Sequence, residues 1–282
     1  MERTSPVSQP RVVATRAAPL RPRRGWLRAV RPSTWRGTVS ILAVIVLWEV
    51  AARTVVKNPL FFAPLSAVGV RSVELWQAQE LQAHMWTSFI EFALGFVLAS
   101  VVGIAAGVVM ATSAALRDFM DPWVSMLYST PIIALGPLFI LWFGIGMSSK
   151  VAVIFLVVVF PVLLNAFVGL STTDLGLIEA ARSFGATTAQ VFSKVRFPAA
   201  LPFIVTGLRL GVARGLVGVV VAELFGAKAG LGYLILISAQ TFDTAALFVG
   251  VLILAFTGVV AVEILKWIER QLAPWRFLEM AE

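Results

Sequence analysis

The sequence predicts an all-α, polytopic membrane protein with six transmembrane helices. Three observations carry that expectation. Hydrophobic residues make up 59% of the chain and charged ones only 13%; mean hydropathy is +0.90; and the apolar residues gather into segments long enough to cross a bilayer. A soluble domain runs nearer to about 45–50% apolar and 25% charged, so this chain has more apolar side chain than a globule of its size can bury.

A spanning helix needs about 20 mostly apolar residues. Six segments qualify: 39–56, 87–112, 123–143, 151–170, 201–222 and 244–267. The third is interrupted by Pro131 and by Gly136-Pro137, and proline frees a backbone carbonyl, so a kink or an unwound turn is expected there. Residues 1–38 form a basic, Arg/Pro/Ser-rich tail without helical periodicity, expected to be disordered. Residues 39–86 hold the first span and a following outer segment, 87–267 the core, and 268–282 a C-terminal tail. Within the outer segment, WQAQELQAHMW fits a helix lying at the interface, with His84 a wet or interfacial residue.

Six spans place both termini on one side. With the N-terminus inside, sixteen Lys/Arg fall on cytoplasmic segments, nine of them in residues 1–36, and five fall outside. The positive-inside rule therefore favours an N-in, C-in topology. RPRRGWL has some likeness to a twin-arginine export signal, but the spans that follow, with Glu49 and Arg53 in the first, fit a topogenic basic patch better. The net charge of +8 is concentrated in this tail, which argues against a nucleic-acid surface.

The chain has no cysteine and one histidine. Disulfides, thiolate metal sites and thiol nucleophiles are excluded, and an integral membrane enzyme built on HExxH or a His triad has no residues to use. No metal or cofactor is expected in the chain itself.

One stretch stands out between the fourth and fifth spans. Residues 172–198 are polar and face the cytoplasm in this topology. Ser171 to Asp174 resembles a capping box opening a short helix, and Gly185 is placed to stop that helix from the C′ position. Thr187-x-x-Gln190 is a second capping box, Val191, Phe192 and Val195 give the next helix an apolar face, and Pro198 is expected to end it. From composition alone, an ordinary amphipathic connection serves equally well.

The particular residues say more. Glu179-Ala180-Ala181, Gly185, Val195 and Phe197-Pro198 resemble the EAA loop of binding-protein-dependent ABC importer permeases, with Phe197 in place of the usual leucine. The likeness continues through TPIIALGPLFILWFGIGMSSK and GLRLGVARGLVGVVVAELFGAKAGLGYLI, covers roughly residues 87–266, and is nearest to the nitrate/sulfonate/taurine branch. Met147, where an acid is common, and Gly136 depart from the pattern. The resemblance implies a type I importer permease fold in a bacterial inner membrane and a second permease copy, giving a homodimer. It also implies a cytoplasmic ABC ATPase dimer, which binds ATP and Mg, and an external solute-binding protein. Glu179, Ala180, Ala181, Gly185, Val195 and Pro198 would then couple the ATPase to the spans.

The residues agree that the engine is elsewhere. A P-loop needs glycine directly before its lysine, and none of the five lysines follows a glycine. For the pathway, Gly207, Gly211, Gly215 and Gly218 form a small-residue stripe suited to helix packing. Arg214 lies at its edge near mid-span, where a charge faces either a cavity or a partner. It is a candidate, with Pro131 and Pro137, for lining a path for a small anion; the alternative is an ion pair with Glu91 or Glu49. Glu223 closes the fifth span and is a candidate binding-protein contact or outer-gate residue, or else an interfacial acid. The solute class stays open between alkanesulfonate, taurine or nitrate and a pyrimidine-type vitamin precursor. A self-contained secondary transporter is the functional alternative, which inverted repeats with central acids would favour.

Overall fold

The computed structural model describes residues 32–56, 58 and 60–273, and every regular element among them is helical. The basic head up to residue 31, Lys57, and residues 274–282 with Arg276 lie outside the described residues. The chain divides between Val44 and Ile45. The first unit contains the N-terminal part of α1 (Pro32–Thr54), whose apolar side chains are exposed; the second contains all that follows.

Two long helices clasp a third. α6 (Met147–Ser171) is the most deeply buried span, with half of its apolar window covered against 6% for α1. It is flanked by α3 (Glu80–Thr112) and α9 (Phe197–Leu224), and both turn glycines toward it. A Cβ on Gly103 would meet the Val159 carbonyl oxygen at 2.9 Å, and one on Gly107 would meet Ala166 Cβ at 2.7 Å. On the other side, Gly207 abuts Asn165 and Pro161, and Gly211 and Gly215 abut Val158. Lipid offers no hydrophobic drive between helices, so close backbone approach and dispersion hold them together. The glycine stripe of the fifth span is a packing surface. Between the three helices sits a core of Ala99, Ile154, Val158, Val162 and Val219.

α11 (Thr244–Leu272) packs on α9, and buried Glu269 pairs there with Arg209. α2 (Leu65–Gln77) and α10 (Leu231–Gln240) are short helices that pack with the start of α11 around Val68, Leu75, Leu234 and Val249. Arg71 reaches Asp243 at 2.9 Å and Glu74 at 2.8 Å. The carboxylate of Glu74, then that of Asp243, holds the Arg71 guanidinium above its ordinary pKa against partial burial.

The third span is broken. α4 (Ala114–Ser129) and the following segment, a 3-10 turn at Ile132–Leu135 leading into α5 (Gly136–Phe143), meet at 80° around Pro131. Among the described residues there are thus five helices long and apolar enough to cross a membrane, or six if the bent pair is one span.

Several boundaries differ from the expected ones. Residues 32–38, placed in the tail by composition, are the first turns of α1, and α11 runs to Leu272. A helix satisfies its own backbone hydrogen bonds, so it does not end where the apolar run ends. WQAQELQAHMW is not one interfacial helix. Gln79, at φ 60°, breaks it, and Glu80 onward is the opening of α3. Pro198 does not terminate a helix. The chain is helical from Thr188 to Leu224, passing from α8 (Thr188–Val191) through a π turn at Phe192–Arg196 into α9. Proline removes an N–H and crowds the carbonyl four residues back, here that of Lys194. The wider π turn, in which Phe197 N donates to Phe192 O, accommodates that clash without ending the helix.

Candidate functional site: a capped surface hairpin and a buried polar hub

At the end of the bundle where α6 finishes, α7 (Leu175–Ser183) and α8 form a helical hairpin. Its caps are specific. Asp174, and not Ser171, opens α7, its Oδ1 accepting from Gly176 N at 2.7 Å. Asp174 sits directly ahead of the helix, whereas Ser171 still belongs to α6. Gly185, at φ 80°, is the left-handed C′ residue, and its N–H donates to Arg182 O at 2.9 Å. Thr187 and Gln190 complete a reciprocal capping box: Thr187 N donates to Gln190 Oε1 at 2.8 Å and Gln190 N to Thr187 Oγ1 at 3.3 Å.

Ile178 and Val191 turn inward and are buried, which seats the hairpin on the bundle. Glu179 and Ala180 are exposed, Ala181, Val195 and Pro198 half-buried. Glu179, Ala180 and Ala181 lie on α7 and Gly185 in the turn that follows, whereas Val195 is in the π turn and Pro198 in the first turn of α9. The structure also shows a residue that motif reading missed. Phe184, at the tip beside Gly185, is 92% exposed, with Leu175 at 72% and Leu177 at 56%. Phe184 is at the tip, whereas Leu175 and Leu177 lie in the first turn of α7. The signal was present, since an aromatic residue next to a C′ glycine has no room in a two-helix core, but only the fold shows which side it takes.

Glu223 lies at the other end of α9 and is completely buried. Its Oε1 accepts from Ser88 Oγ at 2.5 Å, and its Oε2 from Gly232 N at 2.5 Å and Tyr233 N at 3.3 Å. Ser88 Oγ in turn accepts from Leu231 N at 2.7 Å, and His84 Nδ1 accepts from Gly230 N at 3.0 Å. Four amide groups at the start of α10 are thus satisfied by side chains of α3 and α9. A buried acidic side chain fits here because the helix N-terminus supplies orphan N–H donors for its oxygens. Glu223 therefore cannot touch a binding protein in this conformation, since it exposes no surface. His84 is half-buried and bonded, not a wet interfacial side chain. Alongside, Lys150 Nζ bonds Glu91 Oε1 at 2.7 Å, with Glu91 buried.

Arg214 is exposed on α9, on a face shared with Thr206, Leu210 and Val217. Neither expected alternative partner is used: Glu91 pairs with Lys150, and Glu49 with Arg53 at 2.6 Å and with Ser66. Pro131 and Pro137 are exposed at the break in the third span, and Gly136 between them packs against the Phe225 ring next to the hub. Among the described residues no three His, Asp or Glu side chains converge as metal ligands.

Residues 99–276 match the family of binding-protein-dependent transport system inner membrane components. Over 93% of its length the chain is 36% identical to 92% of a Bacillus subtilis protein named as an aliphatic sulfonates transport permease. It is 33% identical to the Escherichia coli taurine transport system permease, covering 85% of this chain and 88% of that one. It is 32% identical to the formylaminopyrimidine transport permease of Halalkalibacterium halodurans, covering 85% and 95%. In architecture the chain is similar to an inward-facing structure of the MetNI methionine ABC transporter, with TM-score 0.59 and 21% identity over 69% of this chain and 96% of that one. An amino acid ABC transporter matches with TM-score 0.55 and 19% identity, covering 71% and 97%.

Proposed function

Because the chain belongs to the family of binding-protein-dependent transport inner membrane components, and so is an ABC importer permease subunit in a bacterial inner membrane rather than an enzyme, we propose that the 172–198 hairpin is its coupling element. The observation that carries this reading is the capped hairpin itself, rigid behind Asp174 and the Thr187–Gln190 box and presenting Phe184 at 92% exposure. Family membership removes the self-contained secondary transporter, and ATP hydrolysis belongs to a partner subunit. In our reading the hairpin faces the cytoplasm, both termini lie on that side, and two copies of the chain assemble around one path.

In this mechanism an ATPase groove receives Phe184 and the small Ala180–Ala181 surface, and Glu179 pairs with a cation of the partner. Closure of the ATPase dimer moves the hairpin. Because helix continues without interruption from Thr188 to Leu224, that motion is transmitted as a rigid rotation along α9, the helix that carries Arg214. The test is capture and uptake. Phe184→Glu leaves an exposed position exposed, so the protein should fold and insert, yet ATPase capture should fall by about tenfold or more, the loss of one buried aromatic anchor. Gly185→Val, which forces a β-branched residue into φ 80°, should abolish ATP-driven uptake. If both variants capture the ATPase and import solute normally, the hairpin is not the coupling element.

For the solute we propose a small organic anion of the sulfonate or taurine type, delivered by an external binding protein. Support comes from the names of two relatives and from Arg214, a guanidinium with no ion-pair partner among the described residues, on an exposed face of a spanning helix. The formylaminopyrimidine relative supports a second reading, a neutral or cationic heterocycle. Arg214→Gln discriminates. It should cut uptake of alkanesulfonate and taurine by about tenfold or more, the order of one desolvated charge contact, while Arg214→Lys retains part of it. Uptake of every candidate anion unchanged by both variants would sink the anion path and leave the heterocycle.

A further inference from the structure

We propose that the inner side of the hairpin binds the headgroup of an anionic phospholipid. A cavity of about 540 Å³ lies between α7, α8, the π turn and the last residue of α3, and is lined by Arg182, Arg196, Thr112 and Thr188 over an apolar floor that includes Ile178 and Val191. Neither arginine makes an ion pair or hydrogen bond among the described residues, and Arg196 Nε is buried without a partner. A buried guanidinium nitrogen left unbonded is costly, and two of these forks beside hydroxyl groups suit the oxygens of a phosphate diester.

Depth and chemistry select the occupant. α3 is 33 residues long, so at 1.5 Å per residue it measures about 50 Å against a hydrocarbon layer of about 30 Å. Thr112, its last residue, and Arg196, which directly precedes α9, both mark ends of spanning helices, and we take that level as the headgroup layer. The floor of Ile178, Val191 and Phe192 would be wasted on a free phosphate but fits the glycerol and upper acyl carbons of a lipid. The ATPase is disfavoured by direction. At about 100° per residue, Leu175, Ile178 and Arg182 share one face of α7, within about 60°; Glu179 borders that face, whereas Ala180 and Phe184 of the coupling surface lie nearly opposite. Lipid on the inner side and ATPase on the outer side can then hold the hairpin together. An anionic headgroup would brace the lever that the ATPase moves.

The experiment uses the full-length chain, purified in detergent and delipidated, then titrated with phosphatidylglycerol or phosphatidylcholine while native mass spectrometry counts bound lipid. The wild type should retain one phosphatidylglycerol per chain in preference to phosphatidylcholine. Replacing both arginines, Arg182→Gln with Arg196→Gln, should weaken phosphatidylglycerol about twentyfold. Lys194→Gln, at an exposed lysine outside the cavity, should change it by about twofold or less. Because replacing Arg196 can disturb the π turn, the exposed Arg182→Gln alone must weaken binding about fivefold. Equal phosphatidylglycerol retention by wild type and the Arg182→Gln variant overturns the proposal. So does displacement of the lipid by millimolar inorganic phosphate, which would make this a soluble-anion site. Loss of ATPase capture in Arg182→Gln with lipid retention unchanged would assign the arginine to the ATPase and overturn it as well.

Discussion

Glu223 shows how differently one residue reads in sequence and in space. As a lone acid at the end of an apolar run it looks like a surface contact. In the fold it is fully buried and supplies the cap that α10 lacks, because Gly230 has no side chain to offer. Removing the carboxylate would leave buried amide groups unsatisfied at about 1–3 kcal/mol for such groups, so Glu223→Ala should lower thermal stability in detergent while Glu223→Gln lowers it less. Gly230→Ala should do the same by another route. Its φ is 127°, and a Cβ there would strike the Glu223 carboxylate. Melting curves of the three variants check this directly, and a Gly230→Ala protein as stable as the wild type would show that the hub is not rigid.

The helices pair through surfaces that hydrophobicity alone does not distinguish. α3, α6 and α9 are each predominantly apolar, and their mutual packing depends on where glycine removes a side chain. Gly107 is the sharpest case: an added Cβ meets Ala166 Cβ at 2.7 Å and the Leu163 carbonyl oxygen at 2.8 Å. Gly107→Val should separate α3 from α6 and cost about 1–3 kcal/mol or more, read as a lower melting temperature. Gly69→Val, at an exposed α2 position with nothing within 4 Å, should stay within about 0.5 kcal/mol of the wild type apart from a small change in helix propensity. At this scale the broken third span and the Pro198 turn teach opposite lessons about proline. Pro131 accompanies an 80° bend, whereas Pro198 is absorbed by a π turn inside a continuous helix. The same missing N–H gives either result, depending on whether neighbouring turns can widen.

For the whole molecule, topology is the property most open to direct measurement. The chain contains no cysteine, so a single introduced thiol reports its side without background. In the proposed N-in, C-in arrangement, Ser183→Cys on the hairpin should react with an impermeant maleimide only from the cytoplasm, and Lys228→Cys only from the outside. Labelling of both positions from the same side would refute the arrangement, because α6 and α9 each run from one of these ends to the other.

Much of the protein was legible in its residues because the bilayer leaves few options. Apolar segments of spanning length must become helices, since no water is available for unpaired backbone groups. The helical class, most of the spans and the absence of a P-loop all follow. The hairpin was also legible, because caps and a C′ glycine are local devices whose partners lie within a few residues: Thr187 finds Gln190, and Gly185 turns on its own backbone. What only the tertiary structure decided is every relation between residues distant in the chain. Lys150 takes Glu91 and so leaves Arg214 without that partner, Arg209 takes Glu269, Ser88 and His84 meet the start of α10, and Phe184 turns outward while Ile178 turns in. Periodicity states which face of a helix a residue occupies, but not which neighbour that face will meet. In a membrane, where nearly every face is apolar, close packing at glycines settles the neighbour, and the neighbour settles which charges are paired and which remain free to act.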